Sequence, residues 1–255
     1  MKLIPIPAFN DNYIWMLHDE RRALVVDPGD AQPVLAVLAR HGLTLESILV
    51  THHHGDHTGG VDALRQGTGA QVYGPAAERM PGPLQRLGDG DIITALGLRF
   101  EVLLVPGHTA GHIAYWGQPP DADPVVFCGD TLFSAGCGRL FEGTPGQMLA
   151  SLTRLAALPD TTRVCCAHEY TLGNLRFALA VEPDNTDLLA YQTHARTLRQ
   201  QLLPTLPSSI GLEKAVNPFL RTHLPKVAHA VQQIDPNADD PVAVFAALRT
   251  WKDKF

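Results

Sequence analysis

The chain of 255 residues lacks the features that mark several classes of protein. Its four cysteines form neither a Cys-x-x-Cys zinc pair nor a disulfide-rich pattern, so we expect reduced thiols. No apolar run approaches the ~20 residues of a membrane span, and the first residues contain two prolines and no cleavage-like site. A formal net charge of −6 disfavours a general nucleic-acid binder. We therefore expect a cytoplasmic protein whose partners include neither nucleic acid nor a membrane.

Glycine is almost absent from the last third of the chain. After Gly173, only Gly211 remains of the 22 glycines, while Leu, Ala, Gln and Arg become frequent. This change predicts a helical domain over residues 174–255, with helices at 174–181, 186–203 and 241–254. Over residues 1–173, short apolar strands alternate with turns and with helices near 33–40, 60–65 and 147–158. We place a domain boundary between residues 173 and 174.

The most distinctive segment is Thr-His-His-His-Gly-Asp-His at residues 51–57, which offers His52, His54, Asp56 and His57 as potential metal ligands. It follows residues 45–50, Leu-Glu-Ser-Ile-Leu-Val, which read as a short buried strand. If the extended backbone continues, His52 and His54 project to the same side and can bind one ion together. The glycines that follow favour a loop, in which Asp56 and His57 can turn toward a second ion. Imidazole and carboxylate ligands suit zinc, iron or manganese, and an internal run with an interleaved Asp is not an affinity tag.

Four ligands cannot complete two coordination spheres, and three other apolar strands supply more. The strand at residues 98–105 leads to His108, the strand at 124–128 to Asp130, and the strand at 163–167 to His168. Each of these residues alone has an ordinary structural explanation, as a hydrogen-bonded histidine or a turn carboxylate. Together with the first cluster, they predict a metal centre at the carboxyl ends of several strands.

These motifs resemble a known family. Thr-His-x-His-x-Asp-His at 51–57, Gly-His-Thr-x-Gly-His at 107–112, Gly-Asp-Thr-Leu-Phe at 129–133 and His-Glu-Tyr at 168–170 are similar to the metallo-β-lactamase superfamily. Segments 11–15, 135–143 and 167–171, with Arg249 and Lys252, narrow the resemblance to glyoxalase II, the hydroxyacylglutathione hydrolases. The implied fold is α+β: a metallo-β-lactamase-like αββα sandwich of two mixed sheets, with metals at one edge and a C-terminal α-helical domain.

The resemblance implies two divalent metal ions per chain, with zinc expected and iron or manganese acceptable to the same ligands. One ion would be held by His52, His54 and His108, the other by Asp56, His57 and His168, and Asp130 would bridge both with a water-derived hydroxide. Asp56 and Asp130 are the expected catalytic residues, because Asp56 is placed to orient the attacking water or take its proton. His53 and Gly55 fill variable positions of the motif, and His112 is interpreted as structural.

The implied substrate is S-D-lactoylglutathione, hydrolysed to D-lactate and glutathione in the second step of methylglyoxal detoxification. Arg249 and Lys252 lie three residues apart on one helical face and would bind the glycine carboxylate of glutathione. Arg139 and Tyr170 match two further glutathione-contacting positions. The chain departs from some family members at Arg139, where they have Lys, and at Phe141, where they have Tyr. Residues 1–173 would then be the catalytic domain and 174–255 the substrate-binding domain of a monomer.

Four other functions fit the sequence less well than thioester hydrolysis. A β-lactamase fits Asp130 and the helical tail less well, and an RNA-processing nuclease of the superfamily would need a basic arm. A metal-free binding module is disfavoured because every ligand position is filled. A persulfide dioxygenase, which uses one iron and molecular oxygen on the same fold, usually lacks the long helical domain and stays the alternative.

Overall fold

The chain forms two units whose segments alternate along the sequence. In the computed structural model, which describes residues 1–120 and 122–255, one unit comprises Met1–Leu104, Ala110–Gly129 and Cys165–His168. The other comprises Val105–Thr109, Asp130–Val164 and Glu169–Phe255. We call them the sheet unit and the helical unit. The expected domain boundary at residues 173 and 174 stays a prediction.

The sheet unit contains a mixed sheet of six strands. They are β1 (Lys2–Ala8), β2 (Asn12–His18), β3 (Arg22–Val26), β4 (Thr44–Leu49), β5 (Gln71–Pro75) and β6 (Gln85–Leu87), in that spatial order. The first three strands pair antiparallel, whereas β3 to β6 pair parallel. Parallel neighbours need a long crossover, and the helices α1 (Ala31–His41), α2 (Gly55–Thr58) and α3 (Val61–Thr68) lie in the connections β3–β4 and β4–β5.

A second group of strands in the same unit is antiparallel. It consists of β7 (Ile92–Ala95), β8 (Leu98–Leu104), β9 (Ile113–Gly117) and β10 (Val125–Gly129). The Tyr115 hydroxyl of β9 donates to the Val50 carbonyl, just after β4, at 2.9 Å, which ties the two sheets together. Every residue of β2 and β10 is buried. Burial on both faces explains why these strands read as apolar runs instead of alternating patterns.

The helical unit begins with a small hairpin and continues mainly as helices. Its elements are β11 (Leu132–Phe133), β12 (Gly136–Cys137), α4 (Pro145–Ala156), β13 (Arg163–Cys166), α5 (Thr171–Val181), α6 (Thr186–Gln200), β14 (Ser208–Ser209), α7 (Ile210–Val216), a 3-10 helix at Pro218–Leu220, α8 (Pro225–Gln232) and α9 (Pro241–Lys254). The last two residues of β13 belong to the sheet unit. Helix α4 begins with a capping box of Thr144 and Gln147, and α9 begins with an Asp240 cap followed by proline.

The helices differ from the sequence predictions mainly at their ends. Helix α3 continues past residue 65 because its left-handed terminating residue is Gly69, with φ 74°. Helix α6 stops at Gln200 instead of residue 203, because Leu202 takes a left-handed φ of 59°. Helices α7 and α8 were not predicted, since both are short and border prolines. Among the residues described, no helix is long and apolar enough to cross a bilayer.

Candidate metal centre and substrate pocket

The first group of predicted ligands lies just after β4. His54 keeps an extended backbone, with φ −61° and ψ 146°, and the Nε2 atom of His52 lies 3.1 Å from the Nδ1 atom of His54. The two rings therefore meet, as the period of an extended chain requires. The expectation of a loop at residues 55–58 was wrong in one respect, because α2 makes a single helical turn there. The Gly59 N–H donates to the Gly55 carbonyl at 2.8 Å and closes this turn.

A second group within the sheet unit consists of Asp56, His57 and His168. The Nε2 atoms of His57 and His168 each lie 3.5 Å from Asp56 Oδ2. Ligands about 2.1 Å from a tetrahedral ion are separated by about 3.4 Å, so the spacing of these atoms fits a shared cation. The neighbouring His57 ring, followed by the Asn12 amide, holds the pKa of Asp56 well below its usual range. Asp56 is therefore a carboxylate at neutral pH.

Asp27 contacts the rear of this group and holds the His57 ring, a role that was not predicted from the sequence. Its carboxylate is buried and accepts hydrogen bonds from the Thr51 N–H and hydroxyl, both at 2.7 Å. Its Oδ2 atom also lies 3.1 Å from His57 Nδ1, and the Thr51 hydroxyl lies 3.0 Å from His52 Nδ1. These contacts give Nδ1 of both rings an oxygen partner, which is the arrangement typical of histidines that bind a metal through Nε2. Asp27 directly follows β3, so the rule of ligands at strand ends could have found it.

Asp11 and Asn12 support the same group from the β1–β2 turn. Asp11 Oδ1 lies 2.8 Å from His168 Nδ1, and Asn12 Nδ2 donates to Asp56 Oδ2 at 3.0 Å. The backbones of Asn12 and His168 also form a β-bridge. In the sequence, this segment indicates the family resemblance but predicts no role for Asp11 or Asn12. The contacts indicate that it fixes the orientation of His168 and Asp56.

The remaining predicted ligands, His108 and Asp130, lie together in the helical unit. His108 Nε2 is 3.4 Å from Asp130 Oδ2, and His108 Nδ1 is 2.9 Å from the Arg139 carbonyl. The carbonyl can only accept, so Nδ1 carries a proton, and Nε2 is the ring nitrogen that faces the carboxylate. A side chain at Gly138 would overlap the Asp130 carbonyl, which requires glycine at this position.

Two histidines near these groups have other partners. His53 lies 3.0 Å from the buried Glu78 carboxylate, and fully buried His112 stacks on His52 with ring centroids 4.6 Å apart. His112 thus packs against the ring of a predicted ligand, and its structural role stays a prediction. Imidazole and carboxylate clusters of this kind suit a binuclear metal site.

All four predicted substrate-binding residues line one cavity of the helical unit. The cavity has a volume of about 610 Å³, within the usual range for small-molecule sites. Its lining includes the side chains of Arg139, Tyr170, Arg249 and Lys252. His108 and Asp130 line the same cavity. The structure therefore brings three cationic side chains into the pocket that also contains two of the predicted metal ligands.

Comparisons with known proteins agree with this arrangement. A family model described as "Metallo-beta-lactamase superfamily" matches residues 8–168, and one described as "Hydroxyacylglutathione hydrolase C-terminus" matches residues 169–255. A hydroxyacylglutathione hydrolase of Albidiferax ferrireducens is 67% identical over the full length of both chains. The chain belongs to the hydroxyacylglutathione hydrolase family. The family and the α+β metallo-β-lactamase fold predicted from the sequence are thus confirmed.

Two solved structures share the fold of this family member. ETHE1 from Myxococcus xanthus superposes with a TM-score of 0.67 and 28% identity, covering 99% of this chain and 98% of that chain. TTHA1623 in a di-iron-bound form superposes with a TM-score of 0.62 and 27% identity, covering 85% of this chain and 100% of that chain. At these identities, both structures support the fold, and the second of the two proteins contains two iron ions.

The two cations on α9 have different surroundings. Arg249 is only 6% exposed; its guanidinium donates to the Cys137 carbonyl and to Asp253, both at 3.0 Å. Lys252 is less enclosed and places its ammonium 5.5 Å from the centre of the Phe177 ring. Burial, followed by the charge of Arg249, lowers the pKa of Lys252. Of the two cations, Lys252 is therefore the one better able to change its position when a substrate binds.

Several pocket residues were not expected from the sequence. Cys137, Glu169 and Asn174 line the cavity, and burial raises the pKa of the Cys137 thiol to about 11. This thiol is therefore protonated and is not a nucleophile at neutral pH. Phe141 is 62% exposed and packs edge-on to His108, with ring centroids 5.2 Å apart. It supplies an apolar wall at the position where some family members have a tyrosine hydroxyl.

Proposed function

We propose that the protein hydrolyses S-D-lactoylglutathione to D-lactate and glutathione. The observation that carries this proposal is the cavity in which His108 and Asp130 lie with Arg139, Arg249 and Lys252. A glutathione thioester has two carboxylates to bind and one thioester carbon to attack. This pocket matches both requirements, because it contains three cationic side chains and two predicted metal ligands.

The metal-binding residues follow from the two clusters and the resemblance. One cation is assigned to His52, His54 and His108, the other to Asp56, His57 and His168, with Asp130 shared between them. When bound, two cations supply a hydroxide nucleophile near neutral pH and polarise the thioester carbonyl. Zinc is the expected metal, and the di-iron form of a protein with the same fold supports iron as a second choice.

The protein's own residues prepare this chemistry by fixing rings and protons. Asp27, Asp11 and the Arg139 carbonyl each face the Nδ1 atom of a different histidine, so Nε2 is the atom of each ring that we assign to a metal. Asp56 Oδ2 faces His57 and His168, so Oδ1 is the atom assigned to orient the attacking water and take its proton. No acid is needed to protonate the leaving group, since a thiol of pKa about 8.5 departs as thiolate.

Substrate binding is assigned to the cationic side of the pocket. Lys252 and Arg249 would bind the glycine carboxylate, while Arg139, 68% exposed, and Tyr170 contact the remainder of the peptide. Charge-assisted contacts of this type lie far from the reacting atoms but orient the thioester for attack. A cytoplasmic monomer with residues 174–255 as the substrate-binding domain remains part of this proposal.

The decisive experiment combines metal analysis with a thioester assay. Protein reconstituted with zinc, iron or manganese is expected to bind two ions per chain and to release D-lactate and glutathione from S-D-lactoylglutathione. An oxygen electrode with glutathione persulfide tests the dioxygenase alternative, which the names of the curated relatives do not favour. Oxygen uptake without thioester hydrolysis, or one ion even at excess metal, would overturn the proposal.

A further inference from the structure

The hairpin of β11 and β12 connects a predicted metal ligand with the wall of the substrate pocket. Asp130 comes just before β11, while Cys137 at the end of β12 and Arg139 just after it line the cavity. The Gly138 N–H donates to the Thr131 carbonyl at 3.1 Å and closes the hairpin. Since the Arg139 carbonyl is the partner of His108 Nδ1, movement of this hairpin would disturb both the pocket wall and a histidine.

The turn of the hairpin is bonded to three helices of the same unit. Asn174 of α5 donates to the Ser134 carbonyl at 3.0 Å, and the Tyr191 hydroxyl of α6 lies 2.7 Å from the Ser134 hydroxyl. Asn217, just after α7, donates to the carbonyls of Phe133 and Gly136 at 3.1 and 2.9 Å. A pair of two-residue strands could not hold this shape alone, so the helices determine where the hairpin lies.

Glu213 of α7 is the centre of these contacts. Its side chain is fully buried, and its Oε2 atom accepts from the Ala135 N–H at 2.8 Å and from Asn217 at 3.0 Å. Its Oε1 atom accepts from the Ser208 hydroxyl at 2.6 Å. Ala135 has a φ of 54°, which a non-glycine residue adopts only when its surroundings enforce it. The bond to Glu213 is the contact that holds this N–H in place.

A fully buried acidic residue is unusual unless its carboxylate has several donors. Burial, only partly offset by the Ser208, Ala135 and Asn217 donors, raises the pKa of Glu213. The residue does not line the cavity and cannot reach a substrate. The free-energy cost of burying this carboxylate is offset by its hydrogen bonds, which hold the turn of the hairpin in place.

We propose that Glu213 is a positioning residue for substrate binding, which acts by holding the Ser134–Ala135 turn and thereby the pocket wall at Cys137 and Arg139. This role rests on the proposed function. Glu213 holds the Ser134–Ala135 turn, and Cys137 follows this turn by two residues, whereas Asp130 precedes it by four. Asp130 and Arg139 both lie at the end of the hairpin away from the turn, where the Gly138 N–H donates to the Thr131 carbonyl. Removal of Glu213 should therefore affect the pocket wall at Cys137, and with it substrate affinity, more than the chemical step.

The test is the Glu213→Gln variant of the full chain, reconstituted with zinc. The amide keeps the size of the side chain but directs its own N–H groups at one of the donors. We expect KM for S-D-lactoylglutathione to rise by about tenfold and kcat to change by less than about threefold, at a temperature well below unfolding. Calorimetric titration with glutathione should show the same loss of affinity, with metal content unchanged.

Glu182→Gln is the matched control. Glu182 is also a buried carboxylate of the helical unit, but it bonds Arg221 at 2.8 and 2.9 Å and has no contact with the hairpin in the described contacts. This variant should lose thermal stability and keep a normal KM. If both variants lose stability and neither changes KM, Glu213 is only structural and the inference is wrong.

A second variant covers the case in which Glu213→Gln does not fold. Tyr191→Phe removes only the hydroxyl beside Ser134, so it should fold and raise KM by about two- to fivefold. An unchanged KM in this variant would then overturn the anchoring of the pocket wall by this turn. A wild-type protein that fails to hydrolyse the thioester would instead refute the proposed function.

Discussion

Replacement of Asp27 by Asn tests whether the residues beneath the metal ligands control metal affinity. The Asp27 carboxylate can only accept hydrogen bonds, and it accepts two from Thr51 while facing His57 Nδ1 at 3.1 Å. An amide in the same place must direct its NH2 group at one of these partners. If the carbonyl oxygen keeps the Thr51 N–H, the NH2 group faces His57 and favours the ring tautomer that carries its proton on Nε2.

The size of the effect follows from the two contacts that are disturbed. Protonation of His57 Nε2 removes the lone pair that would bind metal, and loss of such supporting partners typically weakens metal affinity by about 10- to 100-fold. A buried hydrogen-bonding group left without its partner costs about 1–3 kcal/mol of folding free energy. In a domain of 150–250 residues, each kcal/mol lowers Tm by about 2–4 °C. The expected loss of metal affinity corresponds to about 1.4–2.8 kcal/mol, which is similar in size to the loss of folding free energy, so the two effects have to be measured separately.

The assay is a competition titration of zinc-loaded protein with a chelator, together with thermal unfolding of the metal-free form. Asp30→Ala is the control, because Asp30 lies in the same turn and carries the same charge. It caps α1 through the Gln32 N–H at 2.9 Å, so its removal costs about 1 kcal/mol of stability. Wild-type zinc affinity in Asp27→Asn, or an equal loss in Asp30→Ala, would refute the reasoning.

Two further predictions concern the metal and substrate contacts directly. Asp130→Ala should reduce the binding of both ions and His52→Ala chiefly that of one, as measured by metal content; full content and near-normal turnover in Asp130→Ala would contradict a shared carboxylate. Lys252→Ala should raise KM by about 10- to 150-fold with little change in kcat, since a charge-assisted contact contributes about 1.5–3 kcal/mol, whereas Lys254→Ala, exposed on the same helix, should not. The effect of Lys252→Ala should vanish on a thioester that lacks the glycine carboxylate, and equal losses on both thioesters would mean that Lys252 does not bind that carboxylate. In the wild type, KM should rise as the pH is raised, and the rise should begin at a lower pH than for an ordinary lysine, because burial lowers the pKa of Lys252.

The candidate metal ligands could be selected from the sequence because their positions follow from local geometry. A strand of period two brings His52 and His54 together at 3.1 Å, and apolar strands mark where His108, Asp130 and His168 leave the sheets. Nothing beyond the chain segment that contains each ligand is needed for this inference. The resemblance then extended it to the whole chain.

Apart from Asp27, which directly follows a strand, the residues that support the candidate ligands could not be predicted in the same way. Asp11 lies 157 residues from His168 along the chain, and Glu213 lies 78 residues from Ala135. Such contacts depend on how distant segments pack, and no local pattern encodes them. Glu213, in particular, reads in the sequence as an ordinary acidic residue in the first turn of a helix, where a carboxylate is favoured by the helix dipole.

Helical spacing predicted that Arg249 and Lys252 share a face but could not distinguish their depths. Two N–H groups of Arg249 bond Cys137 and Asp253, and its Nε has no hydrogen-bond partner among the residues described. Because the Cys137 carbonyl belongs to the hairpin, removal of this guanidinium would shift the pocket wall and also delete a positive charge. An Arg249→Ala variant therefore combines two effects that kinetics alone cannot separate. Lys252, which contacts an aromatic face instead of the hairpin backbone, is the position where the contribution of the carboxylate contact can be measured by itself.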